Sequence, residues 1–332
     1  MRIPMMRNEV NEQFPLLMSI LLGKGERLPS FMDWLRNSVW SQERFDEMEP
    51  QKYFESGEKL VRYAEDLVLT TAPTLYDEFV AASESTSALM SELSIPKTAL
   101  VVYDGISIRE IPLLERLAKS TGMTVHESRY SFAALPSETI SFIEQRLLGK
   151  RVSPSQLEGR RELKDLNISA RYYDGVMRAF ELKDAGESLL LWSSFPDGTY
   201  MNFEARSSGH FETIAKQFDV AWKNIILNIP RDYRIIITGD HGYIYLGTGF
   251  ESEIKAEKAL SILDNDRFRV FQNDEVIPSD VPELQVLGHR NTAMLRGRIK
   301  NRPKGQSANK VFRHGGMSIM EMLTPWLVLN RS

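Results

Sequence analysis

From residue 98 onward, short apolar runs rich in leucine or β-branched residues alternate with amphipathic stretches, and this alternation constrains the fold more than any other feature. Residues 98–103 read as a strand, 111–120 as a helix and 123–127 as the next strand. Residues 189–195 and 234–238 are further strands, separated by a helical stretch over 212–227. The pattern predicts an α/β domain with a mostly parallel central sheet flanked by helices. Ligands in such domains gather at the carboxyl ends of strands, so chemistry is expected there.

Residues 1–92 have a different texture and predict a helical N-terminal region ahead of an α/β domain over 93–332. Leu60, Tyr63, Ala64, Leu67 and Val68 recur at helical spacing, and Ser30 with Asp33 resembles a capping box. The many glutamates of this region read as a solvated helix face. It holds 16 acids against 9 bases, whereas the remainder holds 29 acids against 32 bases, so the second part is the one expected to meet anions. A chain of 332 residues, 42% apolar and 26% charged, builds a sizeable core, which excludes disordered and collagen-like classes. The apolar run at 14–22 is about half a membrane span and lacks a cleavage site, so a cytoplasmic protein is expected. Cysteine is absent, which removes thiolate nucleophiles, disulfides, iron–sulfur clusters and Cys-ligated zinc. Any metal must be held by His, Asp, Glu or hydroxyl oxygens.

Two strands end in aspartate: Val-Val-Tyr-Asp104-Gly105 and Ile-Ile-Ile-Thr-Gly-Asp240-His241-Gly242. Carboxylates at a sheet opening, one beside an imidazole and both beside a glycine that admits close backbone approach, suit a divalent cation. An ordinary Asp-Gly turn is the plainer reading of the first. His314-Gly-Gly precedes a helix predicted to begin near Ser318, on a turn that could aim the imidazole into a site. Pro136-Ser137-Glu138-Thr139 leads into a helix ending near Gly149, placing hydroxyls where helix amides favour phosphate, although either could simply cap that helix.

In this order, an aspartate at the first strand, Pro-Ser-x-Thr, Asp-His-Gly and a late His-Gly-Gly-x-Ser-x-x-Glu, the pieces over roughly 97–330 resemble PglZ-domain proteins of the alkaline phosphatase superfamily. The segment His314 to Pro325 is the most specific match. The resemblance implies an alkaline-phosphatase-like fold and a two-metal phosphohydrolase in which a hydroxyl oxygen attacks phosphorus. Thr139, preferred to Ser137 and Ser107 because it matches the second hydroxyl of the superfamily pattern, would be the nucleophile. Asp104, Asp240 and His241 would hold one metal and His314 would serve the other. The superfamily usually adds an aspartate followed four residues later by a histidine. His210 takes the histidine place here, but Arg206 stands four before it and repels cations. Asp197 is the first substitute and Glu204 the second; failing both, one metal site is damaged. One or two divalent ions are expected, zinc foremost and manganese as the alternative.

Residues 289–313 carry eight Lys and Arg with no acid. This run could grip a polyanion, with Arg313, Arg298 and Lys310 as substrate-binding candidates, or be a solvated loop. No Gly-x-x-x-x-Gly-Lys-Ser/Thr loop is present. The expected activity is metal-dependent hydrolysis of phosphate esters, with diesters or nucleotides favoured as substrates. The resemblance further implies phage-defence systems of the BREX type, with defence-protein partners, or nucleotide signalling. The alternative is a scaffold or binding module with an incomplete metal site, whose acidic N-terminal helices dock a basic partner.

Overall fold

Strands buried on both faces need apolar side chains at every position, and the runs beginning at residues 98, 189 and 234 supply them. In the computed structural model, which describes residues 4–179, 181, 186–200, 209–278, 280–306 and 310–331, they become three adjacent strands. The strands in chain order are β1 (Thr98–Asp104), β2 (Met123–Phe132), β3 (Ile168–Tyr173), β4 (Ser188–Pro196), β5 (Arg234–Gly239) and β6 (Ile244–Tyr245). They continue with β7 (Phe268–Val270), β8 (Leu284–Leu287), β9 (Thr292–Leu295), β10 (Phe312–Arg313) and β11 (Leu323–Arg331). The main sheet has the order β2-β11-β5-β1-β4-β3 and is parallel except for β11. Ala99 lies opposite both Leu189 and Ile235, which fixes the register of the three central strands. The fold is a mixed α/β architecture with a mostly parallel six-stranded sheet flanked by helices. Two small antiparallel sheets, β7-β9-β8 and β10-β6, lie outside it.

Alternation along the strands divides the core in two. Ala99, Val101, Leu191, Ile235 and Ile237 face a cluster completed by the Ile111–Ser120 and His210–Asn224 helices and by most of the N-terminal helices. Leu100, Val102, Leu190, Trp192 and Ile236 face a second cluster with Phe142, Ile143, Leu147, Leu89 and Leu93. The N-terminal region is helical, with Pro50–Thr71 its longest element. No helix among the described residues is long and apolar enough to cross a membrane.

Three expectations change. Ser30 lies inside the Arg27–Trp34 helix, where its hydroxyl donates to the Glu26 carbonyl and caps nothing. The helix predicted near Ser318 is one turn, Ile319–Met322, because the chain then extends into β11. Pro325 lies in that strand opposite Tyr130 of β2, one residue ahead of where pairing with β5 begins at Trp326. The N-terminal glutamates are not all solvated: Glu58 and Glu65, one heptad apart, are fully buried on the core face of Pro50–Thr71.

Candidate metal centre

Adjacent parallel strands deliver three carboxylates to one end of the sheet. β1 ends at Asp104, β5 is followed by Asp240 and β4 by Asp197. Gly105 makes the convergence possible. Its φ of +77° is the left-handed region, and a Cβ there would stand 3.2 Å from Asp197 Cβ and 3.5 Å from His241 Cε1. Its amide donates to Asp240 Oδ1 at 3.0 Å, and the His241 amide donates to the same oxygen at 2.9 Å. Asp240 Oδ2 accepts from the Thr139 hydroxyl at 2.7 Å.

The imidazole of His241 sets the electrostatics. Its Nδ1 lies 2.9 Å from the Gly242 carbonyl, which can only accept, so Nδ1 carries the hydrogen. Burial, and then the neighbouring His314, push its pKa down to about 3, so the ring is neutral and Nε2 presents a lone pair. That lone pair faces Asp104 Oδ1 at 3.5 Å, Asp240 Oδ2 at 3.5 Å and Thr139 Oγ1 at 3.4 Å. Asp104 Oδ1 is buried with no hydrogen-bond partner. Burial raises the pKa of both Asp104 and Asp240, and at Asp104 the nearby Asp240 and Asp197 raise it further. Such an arrangement is electrostatically unfavourable unless a cation or protons fill it.

Donor atoms around one ion with bonds of about 2.0–2.2 Å stand roughly 3–3.5 Å apart, and the spacings here match. Asp104, Asp240 and His241 form the one group of three or more potential ligands found among the described residues. The donors fit a divalent cation.

Beside this cluster, the His314 ring stacks on His241 with centroids 4.1 Å apart and planes 14° apart. His314 Nε2 lies 3.9 Å from Asp197 Oδ1, and its buried Nδ1 has no hydrogen-bond partner. These two side chains are partly exposed, whereas His241 is fully buried, so the centre opens toward Asp197 and His314. Thr139, the first residue of Thr139–Phe142, is half-buried at its edge.

Four sequence expectations need correction. The amides at that helix start are not open to phosphate, because Glu138 accepts from the Ile140 and Ser141 amides. His210 does not join the cluster: its ring packs on Phe211, Tyr245 and Phe312, at the start of the His210–Asn224 helix. Arg298 cannot reach substrate, since it is fully buried, pairs with Glu58 at 2.5 Å and donates to the Tyr245 and Phe250 carbonyls. Arg313 is also buried, and its Nη1 donates to the Phe312 carbonyl. Lys310 is half-buried, whereas Arg302 and Lys304 are exposed. Glu204 and Arg206 lie outside the described residues.

Sequence reading missed the buried frame beneath the centre. Glu58 pairs with both Arg109 and Arg298, and Arg109 also donates to the Tyr243 carbonyl, two residues beyond His241. Glu65 accepts from the Ile319 amide at 2.8 Å. Glu321 pairs with Arg267 at 2.6 Å, accepts from the Gly316 and Ser318 amides, and through its carbonyl accepts from Gly242. The available signal was two acids on an otherwise apolar helix face at 53, 54, 57, 61, 64 and 68.

No family model and no curated protein matches the chain. Among solved structures, the chain is similar to phosphonoacetate hydrolase from Sinorhizobium meliloti 1021, solved in complex with phosphonoacetate. The TM-score is 0.41 at 11% identity, covering 71% of this chain and 90% of that one, a likeness too distant to carry an argument about the centre.

Proposed function

We propose that the chain is a metal-dependent hydrolase of phosphate esters with Thr139 as nucleophile, in keeping with the PglZ-like motifs of its sequence. The carrying observation is the neutral imidazole nitrogen of His241 facing two carboxylate oxygens and the Thr139 hydroxyl within 3.5 Å. Asp104, Asp240 and His241 would hold one divalent ion, and Asp197 with His314 would contribute to a second. Bound there, such ions lower the pKa of a hydroxyl and neutralise charge on phosphoryl oxygens.

The chain's own groups account for the rest. Asp240 Oδ2 accepts from the Thr139 hydroxyl and so holds its oxygen at the centre; as that oxygen bonds to phosphorus, the bond to the ester oxygen breaks and the leaving group departs as the alcohol, carrying the proton that the hydroxyl gives up. Water then releases phosphate and restores the threonine. Gly105 keeps side-chain bulk out of the centre, Gly242 lets the turn after His241 lie against the Met320 backbone, and Glu138 holds the helix start that presents Thr139. With Arg298 and Arg313 inside the fold, substrate charge falls to the centre itself.

The test pairs metal content after purification without chelator with hydrolysis of bis-p-nitrophenyl and p-nitrophenyl phosphate. Thr139→Ala is expected to keep bound metal and lose at least about 1000-fold in turnover, since the nucleophile is gone. Equal turnover by wild type and variant would overturn the assignment. A catalytically silent binding module is the second reading, favoured by the placement of His210 among aromatic rings. Metal binding without turnover of either ester supports it.

A further inference from the structure

We propose that Ser137 is a positioning residue that clasps the segment carrying Thr139 to the turn carrying His314, and so sets the place of the His314 imidazole. The inference rests on the phosphohydrolase reading for its chemical consequence, although the clasp itself is a matter of geometry. Ser137 is fully buried. Its hydroxyl donates to the Gly316 carbonyl at 2.7 Å and accepts from the Gly315 amide at 3.2 Å, joining segments 178 and 179 residues apart in the chain. Both groups belong to the two residues that follow His314, and Thr139 lies two residues beyond Ser137. Helix capping does not explain this serine, because Glu138 performs it.

The turn is also held by close packing. Gly315 has φ +105°, and a Cβ there would meet the Phe268 ring at 2.8 Å. A Cβ on Gly316 would meet the Arg267 guanidinium at 2.6 Å and the Leu295 carbonyl at 2.8 Å. The Gly316 amide is held by Glu321. Phe268, Arg267 and Glu321 therefore hold the turn together with Ser137. His314 needs such a frame, since its buried Nδ1 has no hydrogen-bond partner to orient the ring. Removing the hydroxyl leaves a buried amide and carbonyl without their partner, and the turn must shift to solvate them. The ring of His314 would then leave its stack on His241 and its approach to Asp197.

The experiment uses the full chain with ¹³Cε1-labelled histidine, wild type and Ser137→Ala. In metal-free protein the wild-type His314 resonance is expected to show the ring-current shift of its stack on His241. Ser137→Ala is expected to move it toward the exposed-histidine position, leaving the resonance of buried His210, packed among Phe211, Tyr245 and Phe312, unmoved as evidence of an intact fold. Manganese titration by calorimetry then reads the consequence: the first ion binds as in wild type, and the second binds about 10- to 100-fold more weakly, as for other groups that orient a metal ligand. An unshifted His314 resonance in Ser137→Ala overturns the clasp. A shifted resonance with both affinities unchanged overturns its role in setting the centre. Wild type that binds no ion overturns the phosphohydrolase reading instead, and the imidazole shift still decides whether the clasp exists.

Discussion

Single atoms govern what the centre can do. His241 is locked as a neutral donor by the Gly242 carbonyl and by burial, and Asp240 spends one oxygen on two backbone amides while the other meets Thr139. Glu65 is the residue whose protonation is most testable, because burial foremost lifts its pKa to about 7. A carboxyl raised in the fold binds its proton more tightly there than in the unfolded chain. Its stability contribution is therefore full below the ordinary value of 4.5 and is lost as pH rises toward 7. The corresponding swing is about 3 kcal/mol. Glu65→Gln keeps an oxygen for the Ile319 amide and removes the titration. Chemical denaturation of metal-free protein at pH 5 and pH 8 is expected to show the wild type losing stability across that interval and the variant losing less. Equal losses would show that Glu65 does not titrate there.

Elements bring these residues together from distant parts of the chain. The strand ends place Asp240, Asp104 and Asp197 on neighbouring strands because β5, β1 and β4 are adjacent and parallel. The Pro50–Thr71 helix braces the same end, with Glu58 between Arg109 and Arg298. Glu58→Ala leaves two buried guanidinium groups without their carboxylate, at a cost of about 3–5 kcal/mol, read as a drop in the denaturation midpoint. Gly242→Ala strikes at the turn itself, since its Cβ would stand 1.9 Å from the Met320 carbonyl oxygen. That variant is expected to lose metal affinity as the His241 turn is displaced, measured by manganese titration.

At the scale of the whole molecule, the N-terminal helices and the sheet share one buried cluster, from Phe31 and Trp34 through Val61 to Val101 and Ile237. Removal of residues 1–92 would expose that apolar surface and strand Arg109 and Arg298, so the remainder is expected to be insoluble on expression. A folded, metal-binding fragment over 93–332 would show that the two parts are separable. Metal uptake has a signature of its own: Asp104 and Asp240, both raised in pKa, must be free of protons to bind an ion. Manganese affinity is expected to rise from pH 5 to pH 8, with calorimetric heats that depend on the buffer because protons are released. Heats independent of buffer would place the ion elsewhere.

Local chemistry by itself determined the strand-and-helix alternation, because periodicity is written in neighbouring residues: β1, β4, β5 and the Ile111–Ser120 helix fall where their apolar patterns do. It also marked Asp104, Asp240, His241 and His314, since acids and imidazoles beside glycines are visible without a fold, whereas Thr139 and Asp197 were reached through the resemblance of the motifs. Tertiary structure alone decided which of these meet and which basic residues face solvent. His210 and Arg298 have the same local chemistry as a ligand and a substrate contact, yet aromatic packing takes the first and Glu58 the second. The partners of Glu58, Glu65, Ser137 and Glu321 lie 51 to 254 residues away in most cases, or on an adjoining turn held by such contacts. A buried charge is stabilised by what the fold brings beside it, and no local pattern names that partner.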